Sequence, residues 1–69
     1  MTIAQLTREA NAIGFAVEVR RDYIRFESPD YGVAHYYIDA NDGGAEAVVD
    51  GDGVLSSLAA MKIQQEHPK

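Results

Sequence analysis

Cysteine and tryptophan are both absent from the 69 residues, and only two prolines occur. Without cysteine there is no disulfide staple, no thiolate metal ligand and no cysteine nucleophile. Secreted mini-proteins of this length usually carry disulfides, so the expected setting is the cytoplasm. No apolar run approaches the roughly 20 residues that span a bilayer. The opening MTIAQLTREANAIGF has neither the basic n-region nor the apolar core of a signal peptide. A further absence concerns charge of one sign. Residues 26–61 contain no Lys or Arg, yet hold Glu27, Asp30, Asp39, Asp42, Glu46, Asp50 and Asp52. The flanks 1–25 and 62–69 are each weakly positive, and the whole chain carries −5. A basic stripe for direct nucleic-acid binding is missing. An acidic membrane surface would repel such a chain. Neither nucleic acid nor membrane is an expected partner.

The length allows one domain, residues 1–69. A chain this short buries about 60% of its unfolded surface. Its expected stability is a few kcal/mol, and a homodimer would add to it. A deep substrate cleft has no room beside a complete core. The catalytic vocabulary is also thin. Ser28, Ser56 and Ser57 have no nucleophile elbow around them, and His35 and His67 have no partner at metal-ligand spacing. No glycine pattern builds a phosphate cradle. The expectation is a protein that is not an enzyme and needs no cofactor.

Hydrophobic periodicity supplies the architecture. Thr2 and Gln5 stand at capping-box spacing, and Ile3, Leu6, Ala10 and Ile13 follow at helical spacing. Gly14 suits the position just past a helix end. The pattern predicts a helix over 3–13. Phe15, Val17 and Val19 then alternate with polar residues, as do Ile24 and Phe26. A two-residue connection at Arg21–Asp22 pairs Val19 with Ile24, Val17 with Phe26 and Glu18 with Arg25. Arg-Asp is not a favoured hairpin turn, so the turn type stays open. SPDYG is turn chemistry. A loop over 28–32 pairs Phe26 with Ala34 and Ile24 with Tyr36; a loop one residue shorter would swap the faces of the third strand. Residues 45–49 read as a short fourth edge strand between glycine-rich breaks. A second helix follows, N-capped by Asp52 and stopped by Pro68, with Val54, Leu58, Met61 and Gln65 as its stripe. The expected fold is α+β, two-layer: an antiparallel three- to four-stranded sheet with an N-terminal and a C-terminal helix.

The glycine-rich tract DANDGGAEAVVDGDG (39–53) invites comparison with a calcium loop. Counted from Asp39, it offers Asp39, Asn41, Gly44 and Asp50 at positions 1, 3, 6 and 12, but position 5 is Gly43 and the closing Glu is missing. A solvated turn explains the tract better than a metal site. Four Tyr stand against two Phe. Tyr23 and Tyr37 fall on the uncovered sheet face, where tyrosine anchors protein interfaces.

Segregation of the acids suggests a one-signed field that steers basic partners. Duplex DNA carries one charge per roughly 1.7 Å of axis, so seven carboxylates match about 12 Å, or three to four base pairs. A tiny, cysteine-free, acidic chain with no enzyme motif resembles the anti-CRISPR proteins that phages direct against host defences. The resemblance is one of size, charge and architecture, and it transfers no residue roles. It implies a cytoplasmic inhibitor in a bacterial host, a DNA mimic that binds a basic nucleic-acid-binding protein or complex such as a Cas effector. The charge argument names Glu27, Asp30, Asp39, Asp42, Glu46, Asp50 and Asp52 as the partner-binding set. The alternative is a structural or regulatory protein–protein interaction module that uses Tyr23 and Tyr37.

Overall fold

The computed structural model describes residues 1–39 and 43–66. Helix α1 runs Ile3–Ala12. Its start is the capping box: the Gln5 N–H donates to Thr2 Oγ1 at 3.2 Å, and the Thr2 N–H donates to Gln5 Oε1 at 2.8 Å. Ile3, Leu6 and Ala10 form its buried stripe. The helix ends where Gly14 takes φ of +104°, a conformation that glycine adopts without the Cβ penalty.

Strands β1 (Ala16–Val19), β2 (Tyr23–Ser28) and β3 (Gly32–Tyr37) form one antiparallel sheet in the order β1-β2-β3. Val17 pairs with Phe26 and Val19 with Ile24. Ile24 pairs with Tyr36 and Phe26 with Ala34. Both registers are those expected from the alternation, and the face-swapping alternative is excluded. The ladder continues to Glu27–Val33 and Ser28–Gly32, so the second turn spans only 29–31. Ser28 is buried, and its Oγ accepts from the N–H of Asp30 at 3.2 Å and of Tyr31 at 3.3 Å. That fork organises the turn around Pro29. At the first turn the Arg20 N–H donates to the Tyr23 carbonyl at 2.8 Å. Among the described residues, no non-glycine residue has positive φ. Arg21–Asp22 therefore avoids the primed hairpin turns and uses a turn open to ordinary residues.

The expected fourth strand at 45–49 is corrected. Gly44–Glu46 forms a single 3-10 turn, and Val48 makes an isolated antiparallel bridge to Thr2. The Ile3 N–H donates to the Ala47 carbonyl at 2.9 Å, and the Val49 N–H to the Met1 carbonyl at 2.8 Å. This segment pairs with the residues leading into α1, not with the sheet. Two residues of bridge are too few to make a strand.

Helix α2 runs Gly51–Glu66. Its start also departs from expectation. Asp50 Oδ1 accepts from the Gly53 N–H at 3.2 Å, so Asp50 is the N-cap and Asp52 stands in the first turn. Val54 and Leu58 are buried, but Gln65 is exposed and does not extend the stripe. Pro68 lies outside the described residues. The core joins Ile3, Leu6 and Ala10 to Phe15, Ile24, Phe26, Val54 and Leu58. Both helices cover the sheet face that carries Ile24 and Phe26, and among the described residues no element packs on the opposite, uncovered face. The result is a two-layer α+β fold.

Candidate functional site

The uncovered face follows from the two registers. Residues that alternate with the core positions point away from the helices. They are Glu18 and Arg20 on β1 and its end, Tyr23, Arg25 and Glu27 on β2, and Val33, His35 and Tyr37 on β3. Tyr23 stands directly opposite Tyr37, and Arg25 opposite His35. Three rings gather at one corner. Tyr23 and His35 have centroids 5.6 Å apart, Tyr23 and Tyr37 6.0 Å, and His35 and Tyr37 6.2 Å with nearly parallel planes. Tyr37 is 74% exposed, the more accessible ring of the tyrosine pair. Exposed cross-strand ring pairs of this kind contribute about 0.2–1 kcal/mol. The trio is thus a pre-ordered apolar corner with hydroxyl and imidazole edges.

The rest of this face is charge-balanced. Arg20 pairs with Glu18 at 3.0 Å and Arg25 with Glu27 at 2.8 Å. Both pairs are solvent-exposed and contribute at most about 1 kcal/mol each. Their larger effect is electrostatic: on an acidic chain, this face has no net fixed charge.

The seven acids singled out from the sequence do not form one surface. Glu27 is in the ion pair just described. Asp30 lies in the turn after β2. Asp39 follows β3 at the opposite end of the sheet, beside the first turn, where the Ile38 N–H donates to the Asp22 carbonyl at 2.8 Å. Six residues of strand, about 20 Å, separate the two ends. Glu46 closes the 3-10 turn, Asp50 caps α2, and Asp52 stands in its first turn. An open apolar cleft of about 360 Å³, lined by Ile3, Ala4, Thr7, Val19, Gly44 and Ala45, brings the 3-10 turn, the start of α1 and the end of β1 together. Gly51 lies against Met1, which brings the start of α2 to the same end. Asp39, Glu46, Asp50 and Asp52 therefore share one end of the molecule. Asp22 joins them, although its position in the sequence sets it apart from the acidic tract. Only the hairpin register could have revealed it. Asp42 lies outside the described residues.

At that end, Asp50 already has a structural task, and Asp52 stands where the helix dipole favours a carboxylate. Among the described residues, no three His, Asp or Glu side chains stand together as a metal site. No helix among them is long and apolar enough to cross a membrane. No family model, curated protein or solved structure matches this chain.

Proposed function

We propose that this protein is a non-enzymatic protein-binding module whose contact surface is the uncovered sheet face, centred on Tyr23, His35 and Tyr37. The observation that carries this reading is the three-ring corner on a face free of net charge. Interfaces favour exposed, pre-ordered aromatics and are depleted of unpaired charge at their centre. Tyrosine gives a large contact area at low entropic cost. Arg25, at the middle of the face, supplies a further anchor that can exchange Glu27 for a carboxylate on a partner. A cytoplasmic setting goes with a cysteine-free chain of this length.

The test is affinity capture with a tagged chain, comparing the wild type with Tyr23→Ala/Tyr37→Ala. Loss of a captured protein in the double variant supports the reading. Unchanged capture contradicts it.

A second reading keeps the acidic surface. Asp22, Asp39, Glu46, Asp50 and Asp52 converge on one end, where Arg21 and the Met1 ammonium offset part of their charge and leave it net negative. Such an end would attract a basic nucleic-acid-binding protein, as a DNA mimic of the anti-CRISPR kind does. Asp39→Lys/Glu46→Lys/Asp52→Lys spares the cap at Asp50. Loss of capture in this variant, with binding by the wild type that weakens in salt, supports the acidic end. Capture that survives both changes counts against it.

A further inference from the structure

The sheet has two edges, and they differ. Strand β1 has four residues, ends beside Arg20 and carries Glu18. Strand β3 has six residues, Gly-Val-Ala-His-Tyr-Tyr, with no Lys, Pro, Asp or Glu. Natural edge strands are usually blunted by charge, proline, bulges or shortness. Apart from its glycine at the turn, β3 has none of these devices.

Hydrogen-bond alternation shows what this edge offers. In an antiparallel ladder, residues bond alternately inward and outward. Ile38 donates to Asp22, so the residues two, four and six positions earlier (Tyr36, Ala34 and Gly32) also face β2. The N–H and C=O groups of Val33, His35 and Tyr37 therefore point away from the sheet. Among the described residues, nothing accepts from or donates to them.

We infer that β3 pairs antiparallel with β3 of a second copy, centred on His35, to give a six-stranded sheet across a twofold axis. The sequence of the strand is self-complementary in this register. Val33 stands opposite the second copy's Tyr37, and Ala34 opposite its Tyr36, so each small residue meets a large one. His35 meets His35. Asp39 falls opposite Tyr31, so it meets no carboxylate. A one-residue shift would send outward-facing groups against inward-facing ones and lose the bonds. The centred register forms three hydrogen-bonded pairs, Val33–Tyr37, His35–His35 and Tyr37–Val33. It also joins two three-ring corners on one uncovered face. One added strand pair covers less than the roughly 1,200 Å² of stable complexes, so this dimer is weak and concentration-dependent.

The absence of native cysteine makes the register directly readable. Hydrogen-bonded antiparallel pairs place Cα atoms about 5.5 Å apart, within disulfide reach. Single-cysteine variants His35→Cys and Val33→Cys are oxidised at high protein concentration and run on non-reducing gels. The expected result is a covalent dimer for His35→Cys, little or none for Val33→Cys, and a dimer again for Val33→Cys/Tyr37→Cys. Sedimentation velocity on the cysteine-free chain checks the same point. The wild type should gain mass with concentration, while His35→Lys, which sets two cations face to face and leaves the backbone intact, stays monomeric with an unchanged far-UV spectrum. Tyr23→Ala, on the central strand, leaves this dimer in place, so failure of the edge pairing and failure of the partner face are separable. A wild type that stays monomeric throughout, or equal cross-linking at positions 33 and 35, overturns the inference and leaves the edge to a strand from another protein.

Discussion

Tyr23 and Tyr37 are direct partners across β2 and β3, their ring centroids 6.0 Å apart and their planes inclined at 50°. Neither ring is in the core. The pair is held by the register of a sheet whose other face carries the core. Tyr37→Ala should therefore lower stability by under about 1 kcal/mol, the range of one exposed cross-strand pair. Urea unfolding measures it. A loss of several kcal/mol would mean that the ring is structural.

Phe26 marks the opposite case. It is buried on the covered face between Val17 and Ala34. Truncation of a buried Phe costs about 3–5 kcal/mol, and so small a core rarely supplies more than about 3–5 kcal/mol in total. Phe26→Ala should be largely unfolded at room temperature by circular dichroism. A cooperative thermal transition close to that of the wild type would contradict this placement of the core.

Two aspartates, two positions apart, should behave differently. Asp50 caps α2 through the Gly53 N–H, and removal of such a cap costs about 1 kcal/mol. Asp52 has only the helix dipole to gain from, worth about 0.3–1 kcal/mol on an exposed turn. Thermal melts of Asp50→Ala and Asp52→Ala should show the larger loss for the first. The reverse order would return the cap to Asp52.

Gly51 gives a prediction of unusual sign. In a helix interior alanine is the better residue by about 1 kcal/mol, and at Gly51, the first residue of α2, part of that gain is expected. Here Gly51 is buried, and an added Cβ would run into the Met1 side chain. Gly51→Ala should destabilise the chain by about 1–3 kcal/mol, the usual cost of overpacking. Protection of the Val49 amide, which is bonded to the Met1 carbonyl, should fall with it. A more stable Gly51→Ala protein would show that the Met1 side chain moves aside at little cost.

Much of this architecture was legible in the residue pattern, and for a physical reason. The strand registers were constrained twice, because each had to align apolar residues on one face and compatible polar ones on the other. Short connections left no alternative topology. The capping box at Thr2 and Gln5 is equally local. The errors arise where the deciding partner is distant or the chemistry is degenerate. Val48 pairs with Thr2 from the far end of the chain, which no local pattern around 45–49 reveals. Asp50 and Asp52 have identical capping chemistry, and the contacts that favour the earlier start, Met1 with Val49 and Gly51, come from the other end of the sequence. The acids illustrate a third limit. Segregation along the chain did not become one patch, since the β2–β3 hairpin carries Asp30 to one end of the sheet and Asp39 to the other. Tyr23 and Tyr37 were placed together by register alone, and the same register adds His35 to them.

The most direct test of the central claim is site-specific photo-crosslinking in living cells that make the protein. A photoreactive phenylalanine analogue replaces Tyr37 in one variant and Asp52 in another, and the adducts are resolved by mass. The account predicts an adduct with a different protein from position 37, abolished by Tyr23→Ala, and none of comparable yield from position 52. Adducts to a different protein that form only from position 52, with position 37 silent, would contradict it and move the binding surface to the acidic end.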